Sequence, residues 1–141
     1  MRYLLNATCI LVLLASCRQQ TDYKKYTSDP LLYCKTVNHL NNVVLENNFP
    51  PMIASRNYAY ANIAAYETIA AGNSELKSLA GQIKHLPQLP KLDTSNVDLH
   101  FASLLAFCKV GEAVTLPEGS MQHYVDQLKH NADSAGMPKE V

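Results

Sequence analysis

Apolar residues return every three or four positions along four stretches of this chain, the spacing that gathers them on one face of an α-helix. In the first, Tyr33, Val37, Leu40 and Val44 make the stripe. Asp29 is suited to cap the helix and Pro30 to its first position, so a helix of about 18 residues is expected to start there. Asn47-Asn48-Phe49-Pro50-Pro51 ends it. The second stretch, Met52 to Ala71, holds seven alanines and three tyrosines among few polar positions, which predicts a mostly buried central helix. Its alanines would let neighbouring helices come close while tyrosines fill the gaps, and Gly72 is expected to end it in left-handed conformation.

A connector follows from Asn73 to Asn96, broken by Gly81, Pro87 and Pro90, and read as a turn or short helix followed by extended loop. The third helix is expected to be capped by Thr94 or Ser95, to place Val97, Phe101, Leu104, Leu105 and Cys108 on its core side, and to continue towards Val114. His100 lies beside that stripe and reads as structural. A fourth helix from about Glu118 to Ala135 lines up Met121, Val125, Leu128, Ala132 and Ala135, and stops at Gly136 and Pro138. With few strand signals, the fold expected is all-α: a bundle of about four helices over residues 28–141.

The amino terminus reads differently. Arg2 precedes an apolar run from Tyr3 to Ala15 and then small residues before Cys17, the pattern of a secretion signal. The run is too short and too mixed for a membrane-spanning helix, which needs about 20 apolar residues. Leu14-Ala15-Ser16-Cys17 is similar to a bacterial lipobox. This predicts a signal peptide over 1–16, lipidation of Cys17, a polar tether over 17–27, and a protein held on the cell-envelope membrane by its acyl chains.

Charge narrows the partners further. Twelve basic residues balance twelve acidic ones, and no basic run exceeds Lys24-Lys25, which argues against nucleic-acid binding. Only three arginines occur, Arg2, Arg18 and Arg56, so a phosphate or oxyanion clamp of arginines cannot be assembled from this chain alone.

Candidate chemistry is sparse. Arg56, Tyr60, Ile63 and Glu67 share one face of the second helix, so Arg56 and Glu67 are candidates for a structural ion pair, made directly or through another element. His123, Asp126, His130 and Asp133 stack on the polar face of the fourth helix. Such spacing can grip a divalent metal, but a solvated face opposite a core stripe is the expected reading. With Cys9 in the signal and Cys17 lipidated, Cys34 and Cys108 remain, either to pair in an oxidising envelope or to pack as small apolar residues. The signatures of esterases, nucleotide-binding loops, zinc proteases and calcium hands are absent from the sequence.

FPPMIASRNYAYANIAAYETIAAG at 49–72, with SLAGQI at 78–83 and LPQLP at 86–90, resembles the amino-terminal region of bacterial vanadium-dependent haloperoxidase-like lipoproteins of the type 2 phosphatidic acid phosphatase superfamily. YCKTVNHLNNVVLENNFPP, which precedes it, fits the first helix of that group. The resemblance implies a helical bundle whose full-length members hold vanadate, or transfer a phosphoryl group, with Lys, two Arg and two His. Those residues come from a Lys with a following Arg-Pro, a Pro-Ser-Gly-His, and a Ser-Arg with a downstream His, none of which occurs here. No catalytic, cofactor-binding or metal residue is therefore carried over, and no cofactor is expected in this chain. Two readings follow. The chain is either the amino-terminal, truncated part of such a protein, inactive without a missing carboxy-terminal catalytic domain, or a complete small helical lipoprotein that binds or scaffolds a partner protein.

Overall fold

The computed structural model describes residues 22–141; the residues expected to form a signal peptide and lipobox, Cys17 and the start of the expected tether lie outside them. The fold is all-α. Five helices follow one another: α1 (Tyr23–Thr27), α2 (Pro30–Glu46), α3 (Pro51–Ala71), α4 (Leu99–Ala113) and α5 (Gln122–Ser134).

α2 begins where local chemistry says it should. Asp29 Oδ1 accepts from the Leu31 amide at 2.9 Å, and Pro30, which has no amide hydrogen to leave unpaired, takes the first position. Its buried line is Leu32, Thr36, Leu40, Val43 and Val44, with Tyr33 and Val37 half-buried beside it. Thr36 is tolerated inside because its hydroxyl is satisfied twice, by the Leu32 carbonyl at 2.9 Å and by Tyr124 Oη of α5 at 3.0 Å. Asn47 closes the helix. Its Oδ1 accepts from the Leu116 amide at 2.6 Å and its Nδ2 donates to the Val43 carbonyl at 2.9 Å and to the Leu116 carbonyl, which ties α2 to the α4–α5 loop.

The broadest interface joins α3 to α4. α4 contributes Phe101, Leu104, Phe107 and Cys108 to the core, whereas α3 contributes Ala61 and Ala65. Gly72 does follow α3, but with φ −112° and ψ 6°, outside the left-handed region. The close neighbour there is the Leu99 side chain at the start of α4, which would have to shift to admit a Cβ.

Two other boundaries differ from the expected ones. α4 is capped by Asp98, whose Oδ1 accepts from the Phe101 amide at 2.9 Å, and not by Thr94 or Ser95. Those two residues belong to a separate turn, held by Asp93 accepting from the Ser95 amide at 3.0 Å, and Val97 is exposed ahead of the helix. α5 starts at Gln122 instead of Glu118; Met121 precedes it and is fully buried.

The segment read as a polar tether joins the folded body from Asp22 onward. Asp22 caps α1, α1 packs against α5, and Thr27 is buried with its hydroxyl donating to Asp98 Oδ2 at 2.9 Å. One carboxylate thus caps α4 and holds α1 in place.

Candidate functional site

Arg56 and Glu67 do not pair. Eleven residues of α-helix separate them by about 16 Å along the axis, and each meets a different environment. Arg56 is exposed. Glu67 is buried, and its carboxylate accepts from Ser78 Oγ at 2.7 Å and from the Leu79 amide at 2.5 Å. The Ser78 hydroxyl in turn accepts from the Ala80 amide at 3.0 Å, and Tyr66 Oη donates to the Lys77 carbonyl at 2.9 Å. The carboxylate therefore works as a latch that fixes the connector onto the end of α3. A buried carboxylate needs donors, and here a hydroxyl and a backbone amide supply them in place of a cation.

The polar face of α5 is exposed at His123, Asp126, His130 and Asp133. Two of the four side chains bond within their own helix: His123 Nε2 with Gln127 Nε2 at 2.9 Å, and Asp126 Oδ1 with Gln122 Nε2 at 2.8 Å. Among the described residues no group of three His, Cys, Asp or Glu is placed to hold a metal ion. On the neighbouring side of α5, Tyr124 stacks on His39 of α2 with ring centroids 4.4 Å apart. Burial pushes the His39 imidazole below its ordinary pKa; Glu46 opposes the shift and His123 adds to it. Cys34 is exposed and Cys108 fully buried, and both are free thiols. Burial, reinforced by Glu112, pushes the Cys108 thiol up to about 12, so it behaves as a core residue.

A half-open groove of ≈ 590 Å³ lies between the α1–α2 corner, the second half of α3 and the first turns of α4, next to a second concavity of ≈ 600 Å³ lined by Tyr23, Lys24, Ser95 and Asp98. The floor of the groove is apolar, with Ala65 and Ile69 from α3 and Leu104 from α4. Tyr33 and Tyr66 line it. Tyr33 Oη donates to Asn62 Oδ1 at 2.8 Å, and its ring meets Phe107 edge-on with centroids 5.7 Å apart, which fixes the phenol against the core. Burial raises the pKa of that phenol, so it stays neutral. Asp29 and His100 stand exposed at the mouth. Asp29 brings the only carboxylate, and neither lysine nor arginine lines the groove.

No motif signals this groove, because it is assembled from residues 27–33, 62–69 and 100–104, which only folding brings together. His100, beside the α4 stripe, is an exposed side chain at the groove mouth. The vanadate implied by the resemblance does not fit here. A pentavalent oxyanion is held by fixed positive charge, whereas the groove offers a carboxylate, and Arg56, the only arginine of residues 22–141, is not among its lining residues. Compared with known proteins, the chain matches no family model, no curated protein and no solved structure.

Proposed function

We propose that this chain is the amino-terminal helical layer of an envelope-anchored protein resembling vanadium-dependent haloperoxidases and type 2 phosphatidic acid phosphatases, and that it carries no catalysis of its own. The observation behind this reading is the outer face of α3. Met52 is 79% exposed, Ile53 44% and Tyr60 49%, so three bulky apolar residues of the helix face solvent while Ala61 and Ala65 are buried. Large apolar side chains exposed in this way, on either side of the exposed Arg56, fit a surface that a further helical layer covers. The missing set of fixed cations agrees with a part that packs and does not react. No helix of the described residues is long and apolar enough to cross a membrane, so in this reading attachment falls to the acylated Cys17.

The test is the genomic sequence beyond codon 141. An in-frame or frameshifted continuation carrying the Pro-Ser-Gly-His and Ser-Arg motifs supports the proposal. A clean stop followed by an unrelated gene, together with a monomeric product that unfolds cooperatively, removes it. The protein ending at Val141 is expected to show neither phosphatase nor halide-oxidising turnover with vanadate added. Replacing Cys17 with Ser should release it from the membrane fraction. The second reading, a complete small lipoprotein that binds or scaffolds a partner, draws its support from the groove.

A further inference from the structure

The hydroxyl groups of the groove have their protons committed. Tyr33 Oη donates to Asn62 Oδ1, Tyr66 Oη to the Lys77 carbonyl at 2.9 Å, and Ser103 Oγ to the His100 carbonyl at 2.7 Å. At the α1–α2 corner, Ser28 Oγ donates to the Lys24 carbonyl at 2.6 Å and Thr27 Oγ1 to Asp98. One Asn62 Nδ2 proton goes to the Tyr58 carbonyl at 2.8 Å, which also fixes Oδ1 as the atom that receives the Tyr33 proton. A hydroxyl that has donated its single proton presents only lone pairs to a ligand. Asp29 adds negative charge: its Oδ1 caps α2, and the carboxylate stands at the mouth.

Hydroxyl lone pairs, one carboxylate, two phenol rings and an apolar floor, with no lysine or arginine among the lining residues, are complementary to a ligand that brings positive charge; the His100 ring N–H and the second Asn62 amide proton are the donors the lining side chains keep. The groove's ≈ 590 Å³ lies in the range of small-molecule sites. We propose that this groove binds a small organic ammonium compound with an aromatic or branched apolar body, the body on Ala65, Ile69 and Leu104 and the ammonium group near Asp29 and the tyrosine faces. This goes beyond the role proposed for the chain as a packing layer and does not depend on it, because binding is read on this chain whatever follows codon 141.

The probes are three near-isosteric molecules offered to the detergent-solubilised full chain: 2-phenylethylammonium, 2-phenylethanol and 3-phenylpropionate. The ammonium compound should bind about tenfold tighter than the alcohol, the size expected of one partly exposed charge contact with a π-face contribution, and the carboxylate should bind weakest. NMR shifts on titration should centre on Tyr33, Tyr66 and His100. Asp29→Asn keeps the helix cap, since asparagine caps as well as aspartate, but removes the charge. It should leave thermal unfolding unchanged and erase the advantage of the ammonium compound over the alcohol. Equal affinity for all three probes, no binding by any of them, or an ammonium preference that survives Asp29→Asn in the folded protein would each overturn the proposal.

Discussion

α3 and α4 pack against one another along the broadest interface in the molecule, and both are rich in apolar residues, yet they use them in opposite ways. α4 turns its large side chains inward: Phe101, Leu104 and Phe107 are 6%, 3% and 0% exposed. α3 turns small ones inward, Ala61 and Ala65, and shows Met52, Ile53 and Tyr60 to solvent. The pairing works because bulk on one helix meets absence of bulk on the other, which brings the two backbones close. One of the two helices is thus finished as a core element, and the other leaves three large apolar side chains in solvent around Arg56. Hydrophobic content alone does not say which face is the inside.

The contrast can be broken most severely at its large partner. Phe107→Ala is expected to cost about 3–5 kcal/mol of stability in urea unfolding, because it empties a fully buried site and removes the support of Tyr33. A loss below about 1 kcal/mol would mean that α4 does not carry the core. Filling the small partner comes next: Ala65→Leu should destabilise by about 1–3 kcal/mol through overpacking against α4. The same substitution at the exposed Ala59 should change little.

Asp98→Ala removes the cap of α4 and the partner of Thr27 together, for about 2 kcal/mol, with hydrogen exchange rising first in α1. Met52→Lys with Tyr60→Lys should move stability within about 0.5 kcal/mol while reducing the binding of a hydrophobic dye. A large destabilisation there would show that the outer face of α3 is already packed within this chain.

The sequence was most legible where the deciding interaction is local. Asp29-Pro30 announces the start of α2 because the cap bond spans two residues, and the Phe101, Leu104 and Cys108 stripe of α4 follows from helical geometry alone. It was least legible where the partner is remote. α1, with five residues, is too short for periodicity to register, and it is held by a bond from Thr27 to Asp98 across 71 positions. Asp98 outcompetes Thr94 and Ser95 because it serves two helices at once. Gly72 is approached closely by the Leu99 side chain, which no local pattern encodes.

The same division separates the two candidate sites. Helical spacing put Arg56 and Glu67 on one face, but spacing is silent on what covers each end of that face. Folding laid the connector over Glu67 and left Arg56 in water. The groove of Tyr33, Tyr66 and His100 has no counterpart in any short stretch of sequence.

By itself the sequence determined that this chain is helical and where most of its helices lie, since the 3.6-residue repeat and the caps act within a few neighbouring positions. Tertiary structure decided which side of α3 faces inward, what satisfies the Glu67 carboxylate, and that three distant segments enclose a groove with one carboxylate and no lysine or arginine. Those outcomes depend on shape and hydrogen-bond partners supplied from far along the chain, which meet only when the helices pack.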